Sequence, residues 1–524
     1  MQFPWLSTIV FLPAVVGLVI LLLPERATRL TALIGTAIVF ALSLWLYFGL
    51  LGGTTVNFGT VMVPQWFENQ PWINLTLGSF HFKVDYALGT DGLSLPMIIL
   101  NALLTLLAVI GSWRIDKRIK FYMALMLFLE TGVMGVFASF DLFLFILFWE
   151  VELIPMFLLI GIWGGARREY AAWKFLLFTL VGSSFTLAGI FLIYVESGAK
   201  SAAFSYLANP ANQVHGSLPF LGLGAVSLPL VVFLLLFSGF AVKIPMWPVH
   251  TWLPDAHTEA PTAVSVLLAG VLLKMGAYGL IRICLGFVPE GAMLFAPALG
   301  VFAAINVLWG AGASMVQRDM KKMIAYSSVS HMGYVLLGVA GAAAAVSGVS
   351  MDYRAAALTG ATLQMFTHGT ITGMLFFAVG VLYDKAHTRD IDIFGGIASR
   401  MPALLLLFSV ACFAALGLPG LSGFVAEYLV FTGTFAILPV VTILSAFGVV
   451  LTAGYLLWML KRAYYGPLNM KWSWLTDATA REVIPLVALA IVILFVGIYP
   501  KPFVDLLGPS LHQILNSVQA VVAR

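Results

Sequence analysis

Long apolar stretches alternate with short polar breaks along most of the chain. In windows of about 19 residues, the length of one bilayer crossing, fourteen candidate spans fall near 3–23, 30–51, 92–113, 119–137, 141–163, 170–195, 227–247, 260–284, 291–313, 319–345, 355–383, 402–435, 438–460 and 483–499. The expected fold is an all-α polytopic membrane protein with fourteen transmembrane helices. The first span lacks a basic leader and an A-x-A site, so it reads as a retained helix. Two spans are interrupted, the seventh through Lys243 to Pro245 and Pro248 and the twelfth by Leu418-Pro419-Gly420. Proline removes a backbone hydrogen bond, which a membrane tolerates only beside protein or a wet cavity.

Composition narrows the function. Of 524 residues, 61% are hydrophobic and 10% charged, with a mean hydropathy of +1.01. So little charge cannot coat a water-facing surface, which excludes soluble enzymes, disordered chains and nucleic-acid binders. Cys284 and Cys412 lie in apolar runs and are too few for an iron–sulfur cluster. Neither a dinucleotide fingerprint nor a Walker loop is present. Redox or nucleotide chemistry would therefore sit on another chain.

Lysine and arginine set the orientation. One set of loops carries 19 of the 27, including Arg114, Arg167, Arg168, Arg318 and Lys385, and the other side carries six. The crowded side is expected to face the cytoplasm or its equivalent, with both termini and the Asn57–Asp91 loop opposite.

That accounting leaves Lys243 and Lys274 within spans, joined by Glu130, Glu150, Glu152 and Glu427 and by His331 and His368. An intramembrane charge costs about 2.5–3.5 kcal/mol on insertion scales and marks a functional site. Asp141, Asp319 and Arg282, at helix ends, read as caps or snorkelling groups. Glu130 and Glu152 read equally as interhelical partners. Residues two apart point about 200° apart on a helix, so Glu150 and Glu152 cannot both face one cavity. Ser327, Ser330, His331 and Tyr334 share a helix face, as do Gln364, His368 and Thr372. Such polar stripes suit a hydrated path. Haem ligation by the two histidines would leave the lysines and glutamates unexplained.

The breaks beside Lys243 and before Glu427 recur five helices apart, as in inverted-repeat transporters. The expected organisation is 1–118 (helices 1–3 and an external loop), 119–285 (first five-helix repeat), 286–462 (second, inverted repeat) and 463–524 (helix 14 and a short tail).

Gly89-Thr-Asp-Gly-Leu-Ser-Leu-Pro96, Phe148-Trp-Glu150 with Leu153-Ile-Pro155, Lys243-Ile-Pro245 leading to Thr251-Trp-Leu-Pro-Asp-Ala-His257, Leu273-Lys-Met-Gly-Ala-Tyr278 and the Lys322–His331 run occur in order. Together they resemble the antiporter-like subunits of respiratory complex I over about residues 85–465. The resemblance implies a proton pathway of a Glu150–Lys243 pair, central Lys274, His331, His368 and Glu427. A glutamate at the last position resembles the M-type (chain 4) subunit, where L- and N-type relatives carry lysine. The opening Phe3–Pro13 run is similar to cyanobacterial and plastid chain 4. The implied function is proton translocation in a type I NAD(P)H:quinone (or plastoquinone) oxidoreductase. It implies no cofactor on this chain, with quinone and iron–sulfur clusters handled by other subunits. Implied partners are the other membrane-arm subunits, including L- and N-type chains, the lipid bilayer, protons and water. The implied location is a bacterial inner membrane or a cyanobacterial or plastid thylakoid. A multisubunit sodium/proton antiporter without a redox partner is the alternative, and a membrane scaffold with merely pairing charges is a third reading.

Overall fold

The computed structural model describes residues 3–51, 64–77, 80–219 and 225–522. The first elements are α1 (Trp5–Leu22), α2 (Glu25–Leu51), an antiparallel hairpin of β1 (Gln65–Leu77) and β2 (Phe80–Thr90), α3 (Ser94–Gly111) and α4 (Ile119–Ala138). They are followed by α5 (Leu142–Val151), α6 (Leu153–Trp163), α7 (Arg168–Glu196), the short α8 (Phe204–Leu207), α9 (Leu228–Lys243) and α10 (Trp252–Glu259). Next come α11 (Thr262–Leu267) and α12 (Leu273–Gly279), continuous through π-helical turns at Leu268–Leu272 and Leu280–Leu285. The chain ends with α13 (Pro289–Met315), α14 (Met320–Ala343), α15 (Met351–Ala386), α16 (Pro402–Ala415), α17 (Ser422–Phe435), α18 (Pro439–Ala463), α19 (Ala480–Ile498) and α20 (Lys501–Val522).

Among the described residues, twelve helices are long and apolar enough to cross a membrane, making this a multi-pass membrane protein. The expected spans 227–247 and 402–435 contain shorter apolar helices, α9 and α16, because each breaks where the prolines predict. Part of the Asn57–Asp91 loop, residues 57–63 and 78–79, lies outside the described residues.

Lipid accepts apolar surface, so in a membrane protein the helices that carry polar groups belong in the interior. The most apolar windows of Thr262–Leu285 and of α15 are entirely buried, whereas those of α1, α2, α18 and α19 are one-third buried. The outer helices turn large side chains outward, with Ile154 64% and Val450 69% exposed, as a lipid-facing surface requires. Asp141 and Asp319 do cap helices: each accepts backbone N–H bonds at the start of α5 and α14.

The hairpin is more ordered than an external loop. Its Glu68 accepts from the Leu6 and Ser7 amides at 2.7 and 3.1 Å, placing a carboxylate on the N-terminus of α1. The tail expected after helix 14 is instead amphipathic α20, which buries Leu507, Leu511, Ile514, Leu515 and Val518. Ser510 of α20 accepts from the Gly92 amide at 2.9 Å, which ties this helix to the start of α3.

Candidate functional site

Lys243 is the last residue of α9 and is 1% exposed. Its amine pairs with the Glu152 carboxylate and lies 5.3 Å from the Trp149 ring and 5.8 Å from the Phe175 ring. The expected Glu150–Lys243 pairing is therefore corrected: Glu152 takes that place, while Glu150 is half-buried at the end of α5. The physical reason is local. Pro155 has no N–H to return to Val151, and the helix breaks at Glu152, between α5 and α6. Gly132 of α4 packs on the break so closely that a Cβ there would lie 3.1 Å from the Glu152 backbone nitrogen.

Lys274 is fully buried in the α12 stretch. Its amine donates to the Ala269 carbonyl, within the first π turn, and lies 2.8 Å from His368 Nδ1 of α15. The His368 and His331 rings are 5.8 Å apart, and His331 Nδ1 lies 3.3 Å from the Glu427 carboxylate. Ser327, Gln364 and Thr372 line the same small cavity as these three. A Cβ on Gly417, in the break between α16 and α17, would come 2.8 Å from Glu427 Oε2. Gly417 has φ +76°, which a side chain would strain, so the turn keeps backbone against the carboxylate.

The expected residues thus fall into two groups. Lys274, His368, His331 and Glu427 form a row in which polar contacts at either end flank two histidine rings 5.8 Å apart, and Lys243 stands with Glu152 on the other side of α12. A Cβ on Gly276 would come 2.8 Å from the Lys243 Cβ, so that side of α12 rests on the lysine's stem. On the basic side, a cleft of about 860 Å³ reaches inward between Arg114, Arg168, Glu259, Lys321 and Arg389.

Arg282 does not snorkel. It is fully buried, and its guanidinium donates to Asp91 Oδ1 at 2.6 Å. Asp91 also accepts from the Leu93 and Ser94 amides at 3.1 and 2.9 Å. Burial pushes the Asp91 carboxyl up, but Arg282 and Ser94 together hold it below the ordinary carboxylate range. A loop aspartate followed by Gly-Leu-Ser at a helix start was the available signal for such an anchor.

The family described as NADH:quinone oxidoreductase/Mrp antiporter, transmembrane, matches residues 139–452. NADH-quinone oxidoreductase subunit M of Rhodobacter capsulatus is 40% identical over 98% of this chain and 97% of its own length. NAD(P)H-quinone oxidoreductase chain 4 of Gloeobacter violaceus is 39% identical over 100% of this chain and 95% of its own. A chain of respiratory complex I from Thermus thermophilus superposes with a TM-score of 0.82 at 28% identity, covering 98% of this chain and 99% of that one. A chain of the Mrp complex from Dietzia shares the fold alone, with a TM-score of 0.76 at 19% identity over the full length of both. With its broken helices, buried ion pairs and full-length relatives in agreement, this chain belongs to the NADH:quinone oxidoreductase/Mrp antiporter transmembrane family.

Proposed function

We propose that this chain is the M-type (chain 4) proton-translocating membrane subunit of a type I NAD(P)H:quinone oxidoreductase. The single observation that carries this reading is the row of titratable side chains buried at mid-chain depth, Lys274–His368–His331–Glu427, beside the Glu152–Lys243 pair. Such groups are expensive in a membrane and are retained where ions or protons move. A buried charge is stable while its counter-charge is close and unstable once separated. Drawing Glu152 away from Lys243 leaves an ammonium uncompensated and drives its proton inward to Lys274. His368 and His331 pass a proton to Glu427, whose carboxylate lies against the backbone of the break at Gly417. Glu150 stands near the pair as a second carboxylate that acts on Glu152 through space.

The full topology under this reading has fourteen helices, with inverted repeats at 119–285 and 286–462. One correspondence supports the repeats. In each, the charge beside the broken helix contacts a titratable group two spans earlier: Lys243 meets Glu152, and Glu427 meets His331. Both termini lie opposite the basic loops, in an energy-transducing membrane of a bacterium, or a cyanobacterial or plastid thylakoid. The chain holds no electron carrier, and quinone and iron–sulfur clusters belong to other subunits. L- and N-type chains are its neighbours in the membrane arm.

The test is Lys274→Met in the assembled complex, reconstituted in vesicles. Proton translocation per quinone reduced should fall to background while the complex still assembles. Undiminished pumping would overturn the reading, and failure of assembly alone with the milder Lys274→Arg pumping normally would favour a scaffold.

A further inference from the structure

The two groups of the site are separated by α12, and one buried acid not yet used lies between them. Glu130 of α4 is 1% exposed, and neither carboxylate oxygen has a hydrogen-bond partner among the described residues. Asn101 of α3 bonds only its backbone carbonyl, at 3.1 Å. A structural interhelical partner would be held by its side chain, and this one is not. An ionised carboxylate left bare in such a place costs several kcal/mol.

Its position follows from helix geometry. Phe137 of α4 stacks edge-on against Tyr278 of α12 at 5.2 Å, and the Tyr278 hydroxyl donates to the Phe137 carbonyl at 3.3 Å. Seven residues earlier on α4, Glu130 shares that face to within about 20° and lies about 10.5 Å deeper. Both helices end at the hairpin side, α4 through Phe140 bonded to Ala87 and the α12 stretch through Arg282 bonded to Asp91, so they run parallel. Lys274, four residues before Tyr278, is therefore about 6 Å deeper than the same contact. Glu130 and Lys274 differ in depth by less than one helical turn.

The angular order around α12 completes the placement. Taking Lys274 as origin and about 100° per residue, Tyr278 lies near 40° and Gly276, which rests on Lys243, near 200°. The face that α4 covers is thus between the faces of the two lysines. The other way round carries Leu273 and Ala277, which offer a proton nothing. A helix with its side chains is about 10–12 Å across, too wide for one amine to reach round. On α4 itself, Gly132, about 200° round from Glu130, touches the Glu152 backbone, so α4 stands between the break at Glu152 and α12.

We infer that Glu130 is a proton-carrying residue between the Glu152–Lys243 pair and Lys274, resting on the translocation reading above. Its carboxylic acid releases a proton to the Lys274 amine, forming the ammonium and a carboxylate. The carboxylate is reprotonated from the Lys243 ammonium as Glu152 withdraws, through intervening water, so each transfer moves one proton and conserves charge.

The experiment uses the assembled complex in vesicles, measuring protons translocated per quinone reduced and the carboxyl C=O stretch in turnover-induced infrared difference spectra. Glu130→Gln should lower pumping at least tenfold and remove one carboxyl band, and Glu130→Asp should recover a substantial part of the pumping with the band shifted. Normal pumping with an unchanged spectrum in Glu130→Gln would overturn the inference. If Glu130→Gln does not assemble, Glu130→Asp decides: an unshifted band with normal pumping overturns it, and a shifted band with reduced pumping supports it. Lys274→Met separates the two levels. Loss there with normal pumping in Glu130→Gln removes only Glu130, whereas normal pumping in Lys274→Met removes the translocation reading itself.

Discussion

Replacing Glu152 with glutamine removes the carboxylate that Lys243 contacts, with almost no change in volume. Deleting one partner of a buried ion pair costs about 3–5 kcal/mol, because the other charge is left uncompensated. Here the Trp149 and Phe175 rings stand 5.3 and 5.8 Å from the amine. Cation–π attraction returns about 0.5–2 kcal/mol of that loss. The remainder, about 1–4.5 kcal/mol, disfavours the ammonium by about 5- to 1,600-fold at 1.4 kcal/mol per decade. Lys243 would then lack the counter-charge whose movement the proposed transfer uses. Glu150→Gln removes a half-buried carboxylate with a through-space effect on Glu152, and such partly exposed charges are worth about 0–1 kcal/mol. In vesicles normalised to assembled complex, Glu152→Gln should reduce the proton-to-quinone ratio at least tenfold, and Glu150→Gln by less than threefold. The opposite ranking, with Glu150→Gln inactive and Glu152→Gln normal, would refute the pairing seen here.

Glu427→Gln should lose most translocation, Glu427→Asp should keep part, and Glu427→Lys should keep measurable activity if the site needs only a titratable group; vesicle pumping checks all three. Asp91→Asn strands the buried Arg282 and should destabilise the fold by about 3–5 kcal/mol, read as a lower thermal midpoint of the purified complex. Because the folded-state pKa of Asp91 is depressed, its stabilisation is present above the unfolded value of about 4 and fades as pH falls through the lower folded value. Wild type and Asp91→Asn should therefore converge below about pH 4. Cysteine labelling from the non-cytoplasmic side should reach position 70 and not position 168, and the reverse would invert the topology.

Much of this arrangement is legible in the residues, and the reasons for the rest are physical. Pro245 and Pro419-Gly420 announce their breaks because a missing donor or a left-handed turn cannot be hidden in a helix. Pro155 carries the same kind of signal for the break at Glu152, but the two apolar residues Leu153 and Ile154 separate it from the site. With Glu150 and Glu152 pointing apart, a single misjudged turn reverses which one faces the lysine. The π turns around Lys274 have no compositional mark, since Leu268–Leu272 and Leu280–Leu285 read as ordinary apolar helix. The hairpin is visible in the alternation from Asn74 to Lys83 once a span is not being sought. Amphipathic α20 falls below any spanning window because half of each turn is polar. The Lys274–His368–His331–Glu427 row depends on which helices meet, which follows from packing over the whole chain.

The Arg282–Asp91 pair also bears on energy loss. A membrane charged to 100 mV pulls each proton back with about 2.3 kcal/mol, so any straight water file from Lys274 to the outer face would short-circuit the machine. Arg282 lies eight residues outward from Lys274 on the same stretch, fully buried, with Asp91, the hairpin and α20 packed around it. A guanidinium does not give up its proton at physiological pH, and a carboxylate held by it and by the Leu93 and Ser94 amides has little reason to accept one. Their charges cancel, so the pair adds no net charge beside the neighbouring lysine. Under the proposed pathway, such a plug on the short route would leave the lateral row ending at Glu427 as the route to control.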